Sequence, residues 1–191
     1  MDRRRFFHVA GLGGATLLVG CGKENKGQGP IAGEKPQESA PEPAESDVND
    51  VNVLNSALDL EHQAVAAYTA ALKVLRGENL RAARTFRDHE RAHVQALSQA
   101  IKGLGGKPNQ AQRSYRFPRL ATEDDALRFA MTLENTAIAA YIDAIPRLNT
   151  ADLRAEGAAI VGAEAEHLAV LNGALRQRSA PAAFVTGQAG R

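Results

Sequence analysis

At 191 residues with 44% hydrophobic content, the chain can bury one domain well and is too short for two. Its 23 basic and 22 acidic residues leave a net charge of +1, so no electrostatic pull toward nucleic acid or an acidic membrane surface is built in. The single cysteine excludes an internal disulfide and any thiolate-ligated iron or zinc site, and a composition rich in Ala, Leu, Glu and Arg favours helices over strands.

The chain starts with three arginines, Arg3 to Arg5, before Phe6 and Phe7, followed by an apolar run from Val9 to Gly20 that is too short to cross a bilayer as a helix. The paired arginines resemble a twin-arginine export signal, and Leu18-Val19-Gly20-Cys21 resembles a bacterial lipobox. Residues 1–21 are therefore read as a lipoprotein signal peptide, with Cys21 the lipidated residue. The expected setting is an exported protein anchored in a membrane of the cell envelope and facing the extracytoplasmic side. Residues 22–47, rich in Gly, Pro, Glu, Ser and Lys, cannot bury enough surface to fold and are read as a flexible tether.

Residues 48–178 carry four helical stripes with apolar residues at steps of three and four. The first runs Leu54, Leu58, Glu61, Val65, Tyr68, Leu72, Leu75, and the second Ala83, Phe86, Glu90, His93, Leu97, Ile101. The third runs Leu127, Met131, Glu134, Ile138, Tyr141, Ile145, and the fourth Leu153, Gly157, Ile160, Glu164, His167, Leu171, Leu175. Thr122-x-x-Asp125 is a capping pair for the third helix, and Asn149 or Thr150 caps the fourth. Short turns at Gly77 and at Pro146 to Thr150 make each pair an antiparallel hairpin. The longer segment Gly103 to Ala121, broken by Gly105-Gly106, Pro108 and Pro118, is expected to cross the length of the bundle. The fold class is thus all-α, a four-helix bundle of two hairpins joined by one long crossover. The tail, residues 179–191, is read as unstructured, with Phe184-Val185 as its docking point.

The two hairpins repeat. Leu60-Glu61-His62-Gln63-Ala64-Val65-Ala66-Ala67-Tyr68 returns as Leu133-Glu134-Asn135-Thr136-Ala137-Ile138-Ala139-Ala140-Tyr141, and Glu90-Arg91-Ala92-His93 returns as Glu164-Ala165-Glu166-His167. The offsets, 73 and 74 residues, imply pseudo-twofold symmetry.

Glu61, Glu90, His93, Glu134, Glu164 and His167 all fall on the apolar stripes. Four ionised carboxylates cannot be buried together without protonation, cations or metal, and few lysines or arginines share these faces. Each glutamate pair is equidistant from its turn, ~14 residues or roughly 21 Å along the helix, so the pairs lie level. Within each Glu-x-x-His, the i,i+3 spacing puts both side chains on one face. One glutamate from each of two helices, with Glu-x-x-His from each of the other two, is the ligand set of carboxylate-bridged di-iron and di-manganese proteins.

With Tyr68, His89-Glu90-Arg91-Ala92-His93-Val94, Ala139-Ala140-Tyr141 and Glu164-Ala165-Glu166-His167, this pattern resembles the bacterial ferritin-like domain family often found behind twin-arginine signals. The resemblance implies a ferritin-like bundle and a site for two metal ions, iron or manganese, with zinc also suited to the ligands. It implies Glu61 and Glu134 as single-carboxylate ligands, Glu90 and Glu164 as bridges, and one ion each for His93 and His167. Tyr68 and Tyr141, two turns beyond Glu61 and Glu134, are core residues with satisfied hydroxyls, hydrogen-bond donors to the site, or carriers of a radical. His62 and His89 are read as surface histidines, Asp59, Asp88 and Glu166 as solvated, and Arg84, Arg87 and Arg91 as an exposed face.

Three functions follow from this pattern. The leading one is redox chemistry with peroxide, dioxygen or ferrous iron, in oxidative-stress defence or metal handling. The second is a non-catalytic metal-binding or structural bundle in the envelope, and the third a metal-free bundle. An acylated N-terminus on every subunit argues against a closed mineral-storing shell, while smaller oligomers remain compatible with this layout.

Overall fold

A computed structural model of the chain describes residues 45–188. The expected signal peptide, its Cys21 and most of the expected tether lie outside the described residues. Four helices follow in order: α1 (Glu45–Ala71), α2 (Gly77–Gly103), α3 (Glu123–Ala144) and α4 (Ala151–Ala174). Among the described residues there is no strand. Helix α1 begins three residues inside the segment read as tether. Its first turn carries Glu45 and Asp47, acidic residues that suit the positive end of a helix dipole.

The caps follow the sequence signals. Thr122 accepts from the Asp125 amide while the Asp125 carboxylate accepts from the Thr122 amide, a complete capping box. Thr150 caps α4 by accepting from Leu153 N at 3.2 Å. Asn149, the other cap candidate, instead donates through its backbone N and Nδ2 to Asp50 Oδ1, at 3.0 and 2.9 Å.

Contacts at the two ends fix the topology. Glu123, at the start of α3, accepts from Arg76 N (2.9 Å) and Asn79 Nδ2 (3.2 Å) beside the α1–α2 turn. At the opposite end the α3–α4 turn meets the start of α1 through the Asn149–Asp50 bonds and Asn49 Nδ2 to Arg147 O, 3.1 Å. Helix α3 therefore runs antiparallel to α1, and the crossover of residues 104–122 travels the length of the bundle. It climbs along α1. Asn55 Nδ2 donates to Lys107 O (3.1 Å), Asn109 Nδ2 donates to Asp59 Oδ2 (2.9 Å), and His62 Nε2 pairs with Asn109 O (3.2 Å). Farther on, Phe117 packs against Phe129 of α3 with centroids 5.4 Å apart. Early in the crossover, a Cβ on Gly106 would fall 2.6 Å from Val51 Cγ2, so glycine lets the chain lie this close to α1.

No stripe residue is exposed. The core falls into two apolar clusters. One contains Leu54, Leu58, Leu97, Ile101, Tyr141 and Ile160, and the other Tyr68, Leu75, Phe86, Leu127 and Leu171. On every helix the predicted polar residues lie between the two, as Glu61 does between Leu58 and Tyr68, and Glu90 and His93 between Phe86 and Leu97. A polar layer thus crosses the bundle at mid-height.

Two expectations are corrected. His62 is half-buried, because the crossover lies over it and supplies the Asn109 carbonyl. The tail does not dock through Phe184-Val185: Phe184 is 83% exposed. It returns instead to α3 at Gly187 (φ +70°), where a Cβ would strike the Asn135 and Ala139 backbone.

Candidate metal centre

Glu61 of α1 and Glu134 of α3, with Glu90 and His93 of α2 and Glu164 and His167 of α4, meet in the polar layer. The four glutamates and His167 are almost wholly buried, and His93 is half-buried. They form two quartets, Glu61–Glu90–His93–Glu164 and Glu90–Glu134–Glu164–His167, each with one ligand atom per residue and all such atoms within 4.8 Å of one another.

Glu90 and Glu164 belong to both quartets, and each divides its two oxygens between them. His93 Nδ1 lies 3.2 Å from Glu90 Oε2, 3.1 Å from Glu164 Oε1 and 3.4 Å from Glu61 Oε2. His167 Nδ1 lies 3.3 Å from Glu90 Oε1, 3.2 Å from Glu164 Oε2 and 3.5 Å from Glu134 Oε1. Each histidine thus turns its Nδ1 toward three carboxylate oxygens, one of them on each shared glutamate.

Helix periodicity accounts for the convergence. The i,i+3 spacing stacks each histidine one turn from its glutamate on the inward face, and the level positions in the hairpins bring the partner glutamates alongside. Two tyrosines then tie the halves together crosswise. The Tyr141 hydroxyl on α3 donates to Glu61 Oε1 on α1 at 2.5 Å, and the Tyr68 hydroxyl on α1 donates to Glu134 Oε1 on α3. Both are buried core residues and hydrogen-bond donors at once. Burial, reinforced by the charges of Glu134 and Glu61 respectively, raises both phenols above their ordinary range.

The electrostatics divide the glutamates into two kinds. Burial pushes Glu61 up to about 8, against a hydrogen bond from His93, and the Glu90 and Glu164 charges add to the rise. Burial likewise drives Glu134 well above the carboxylate range, and its hydrogen bond with Glu164 adds to this. Burial also opposes ionisation of Glu90, but hydrogen bonds from His167 and His93 outweigh it and hold that carboxyl low. Glu164 is held low in the same way by Glu134, His167 and His93. Burial disfavours the imidazolium of His93, yet its hydrogen bonds to Glu164, Glu61 and Glu90 raise it to about 12. His167 reaches about 11 through Glu134, Glu164 and Glu90. Near neutral pH the layer holds two carboxylates and two imidazoliums, which cancel.

This arrangement fits a metal. Oε1 of Glu90 and of Glu164 are buried and lie within ion-pair distance of His167 Nδ1 (3.3 Å) and His93 Nδ1 (3.1 Å) without a regular hydrogen bond. Four carboxylates that share only two imidazole nitrogens keep lone pairs that a metal cation would use. Among the described residues no lysine or arginine bonds any of the four glutamates, and Arg87 and Arg91 both pair with Asp88 outside the layer.

A cavity of about 180 Å³ opens between α1 and α3 and reaches all four glutamates but neither histidine. Its walls include two pseudo-twofold pairs, Leu60 with Leu133 and Ala64 with Ala137. The small alanines, one turn beyond the glutamates, leave the seam open.

Two polar residues outside the predicted set take part in the fold or the layer. His89, read as a surface histidine, is exposed but places Nδ1 2.9 Å from His167 Nε2, on the side of that ring away from the carboxylates. Helix spacing did not reveal this, because the contact crosses from α2 to α4. Asp50 is fully buried and holds the α3–α4 turn through Asn149. Its place four residues before Leu54, on the same stripe, is a signal the sequence did carry. Asp59, Asp88 and Glu166 are exposed and stand outside both quartets.

A family model described as the ferritin-like domain matches residues 49–177. Among solved structures, a conserved hypothetical protein (rv2844) from Mycobacterium tuberculosis is 20% identical over 66% of this chain and 97% of its own, with a TM-score of 0.64. A structure described as ferritin like, diiron-carboxylate proteins, from Bacillus anthracis str. Ames, is 22% identical over 69% of this chain and 99% of its own, with a TM-score of 0.59. At these identities the likeness is one of fold. No curated protein matches the chain. With its two hairpins, its long crossover and a family match through all four helices, the chain belongs to the ferritin-like domain family.

Proposed function

We propose that the polar layer binds two iron or manganese ions and serves redox chemistry with peroxide, dioxygen or ferrous iron. One observation carries this reading: Glu90 and Glu164 each turn one oxygen to each quartet, the arrangement of carboxylates that bridge two ions. Glu61 and His93 complete one position, and Glu134 and His167 the other. Held there, such ions would supply redox-active centres beside the four carboxylates.

The protein's own groups do the rest. Tyr68 and Tyr141 fix the outer glutamates from opposite halves and hold their protons at the hydroxyl oxygens. The cavity admits a small molecule on the carboxylate side. A space of ~150 Å³ holds a benzene-sized guest, so 180 Å³ takes peroxide or dioxygen with room to spare. The Bacillus anthracis structure, described as diiron-carboxylate, supports iron as a candidate metal.

We further propose that the protein works outside the cytoplasm, tethered by lipid on Cys21. The arginine-led start and the lone cysteine after Gly20 support this. Among the described residues no helix is long and apolar enough to cross a membrane. Cys21→Ser should abolish incorporation of a labelled fatty acid and move the protein to the soluble fraction.

The test of the centre is elemental analysis of the whole chain after loading with Fe(II) or Mn(II), beside Glu90→Ala/Glu164→Ala. The reading expects close to two ions per chain, lost in the double variant, and turnover of peroxide or Fe(II) by the loaded wild type. Metal held tightly but inert to both would leave a metal-binding bundle. A folded wild type without metal overturns the reading.

A further inference from the structure

The two halves repeat their ligands but not the surroundings of the ligands. His167 faces the carboxylates with Nδ1 and so turns Nε2 away, where His89 Nδ1 lies 2.9 Å off. The His167 ring is stacked on Phe86, with centroids 4.1 Å apart and planes at 30°, and lies 5.2 Å from His89 at 21°. The 74-residue offset that relates Glu90 to Glu164 and His93 to His167 relates Phe86 to Ile160 and His89 to Ala163. Neither isoleucine nor alanine has an acceptor or an aromatic face. Correspondingly, His93 Nε2 has no hydrogen-bond partner among the described residues, and the His93 side chain is 12% exposed against 2% for His167.

An imidazole that gives the lone pair of Nδ1 to a cation must carry its remaining proton on Nε2. An acceptor on that N–H fixes the tautomer and the ring orientation and makes the donor nitrogen more basic. Such acceptors are usually carboxylates or backbone carbonyls. A neutral histidine does the same through a bare Nδ1 while its own Nε2–H faces water, and it adds no further negative charge to a layer that already holds four glutamates.

We propose that His89 is a positioning residue for one of the two metal positions only. Its Nδ1 accepts the Nε2–H of His167 and holds that ring with Nδ1 toward Glu90, Glu134 and Glu164. The position served by His93 has no counterpart, so the two positions differ in affinity and the His167 position is the tighter. This rests on the two-ion reading above.

The test is stepwise titration of the whole chain with Co(II), followed by visible absorption and by competition with a fluorescent chelator. His89 lies on the exposed side of α2, so its variants should fold. In a Glu61→Gln background only the His167 position should remain, and His89→Leu should weaken it by about 10- to 100-fold. In a Glu134→Gln background only the His93 position should remain, and His89→Leu should leave it unchanged. His89→Asn, whose Oδ1 falls where Nδ1 stood, should restore the affinity in the first background. Equal weakening in both backgrounds, no effect in either, or an asparagine no better than leucine overturns the inference. A wild type that binds no cobalt overturns the two-ion reading and this inference with it. Two ions bound with His89→Leu silent overturns the inference alone.

Discussion

Loading the metal-free protein with two divalent ions should release about four protons at pH 7. Each ion requires lone pairs from groups that carry protons in the metal-free layer. His93, near 12, and His167, near 11, are imidazoliums at that pH, and Glu134 lies well above the carboxylate range. Glu61, at about 8, is roughly nine-tenths protonated at pH 7. Glu90 and Glu164 are held ionised by their histidines and release nothing. The exchange keeps the layer neutral, because two carboxylates balanced by two imidazoliums become four carboxylates balanced by two divalent ions. Calorimetric titration with Mn(II) in buffers of differing ionisation enthalpy counts the protons directly. At pH 9 Glu61 is largely ionised already, so its own contribution of about one proton should disappear from the count. In Glu61→Gln one position is gone, and about two protons should accompany the remaining ion. A count near zero at pH 7 would refute the scheme, since it would mean that the glutamates and histidines stand deprotonated before the metal arrives.

The metal-free domain should lose stability as pH rises from about 5 to 9. Glu61 is raised from 4.5 to about 8, so its contribution is full below 4.5 and lost by 8, and the histidines' contribution, full below 6.5, is lost toward 11 and 12. Thermal melts of the metal-free chain check this, and a midpoint that climbs over that range would contradict it; the increment from added metal should grow instead. Tyr141→Phe removes the donor to a buried Glu61 oxygen and should cost about 1–3 kcal/mol in urea unfolding. Asp50→Ala strands the Asn149 donors at the α3–α4 turn and should cost a similar ~1–3 kcal/mol. Metal content should be unchanged in Asp50→Ala, because Asp50 stands ~16 Å along α1 from Glu61.

The legible part of this protein is the part with a period. Leu58, Glu61 and Tyr68 lie on one face because a helix repeats every 3.6 residues, and both the core and the six converging polar residues follow from that spacing. The hairpins could be read from short turns, and the crossover from its glycines and prolines. What escaped the sequence depends on tertiary contact between elements. His62 is covered by a loop with no periodicity, and His89 reaches a ring on another helix. The crosswise bonding of Tyr68 to Glu134 and of Tyr141 to Glu61 is set by the approach of α1 to α3. The tail meets α3 through Gly187 and not Phe184, at a point where the α3 backbone is too close for a side chain.

The polar layer is a cost to the fold, and that cost can be measured. Two apolar clusters flank it, and without it they would meet as one core. Its charges cancel in the metal-free state, but two buried Oε1 atoms lack a regular hydrogen bond and the four carboxyl groups have left water. Buried ion pairs are commonly matched or exceeded by apolar residues of similar volume, by about 1–4 kcal/mol. Replacing Glu61, Glu90, Glu134 and Glu164 with methionine and His93 and His167 with leucine should therefore give a bundle at least as stable as the metal-free wild type. The neighbouring cavity gives the longer side chains room to settle. The comparison needs urea unfolding of both proteins in chelator, with helicity by circular dichroism as the check on fold. A sextuple variant that is folded, metal-free and more resistant to urea means that the six residues are there for what they bind. One that is markedly less stable means instead that the network of His93, His167 and the four glutamates holds the helices together, and the case for a metal drawn from its buried charge would fall.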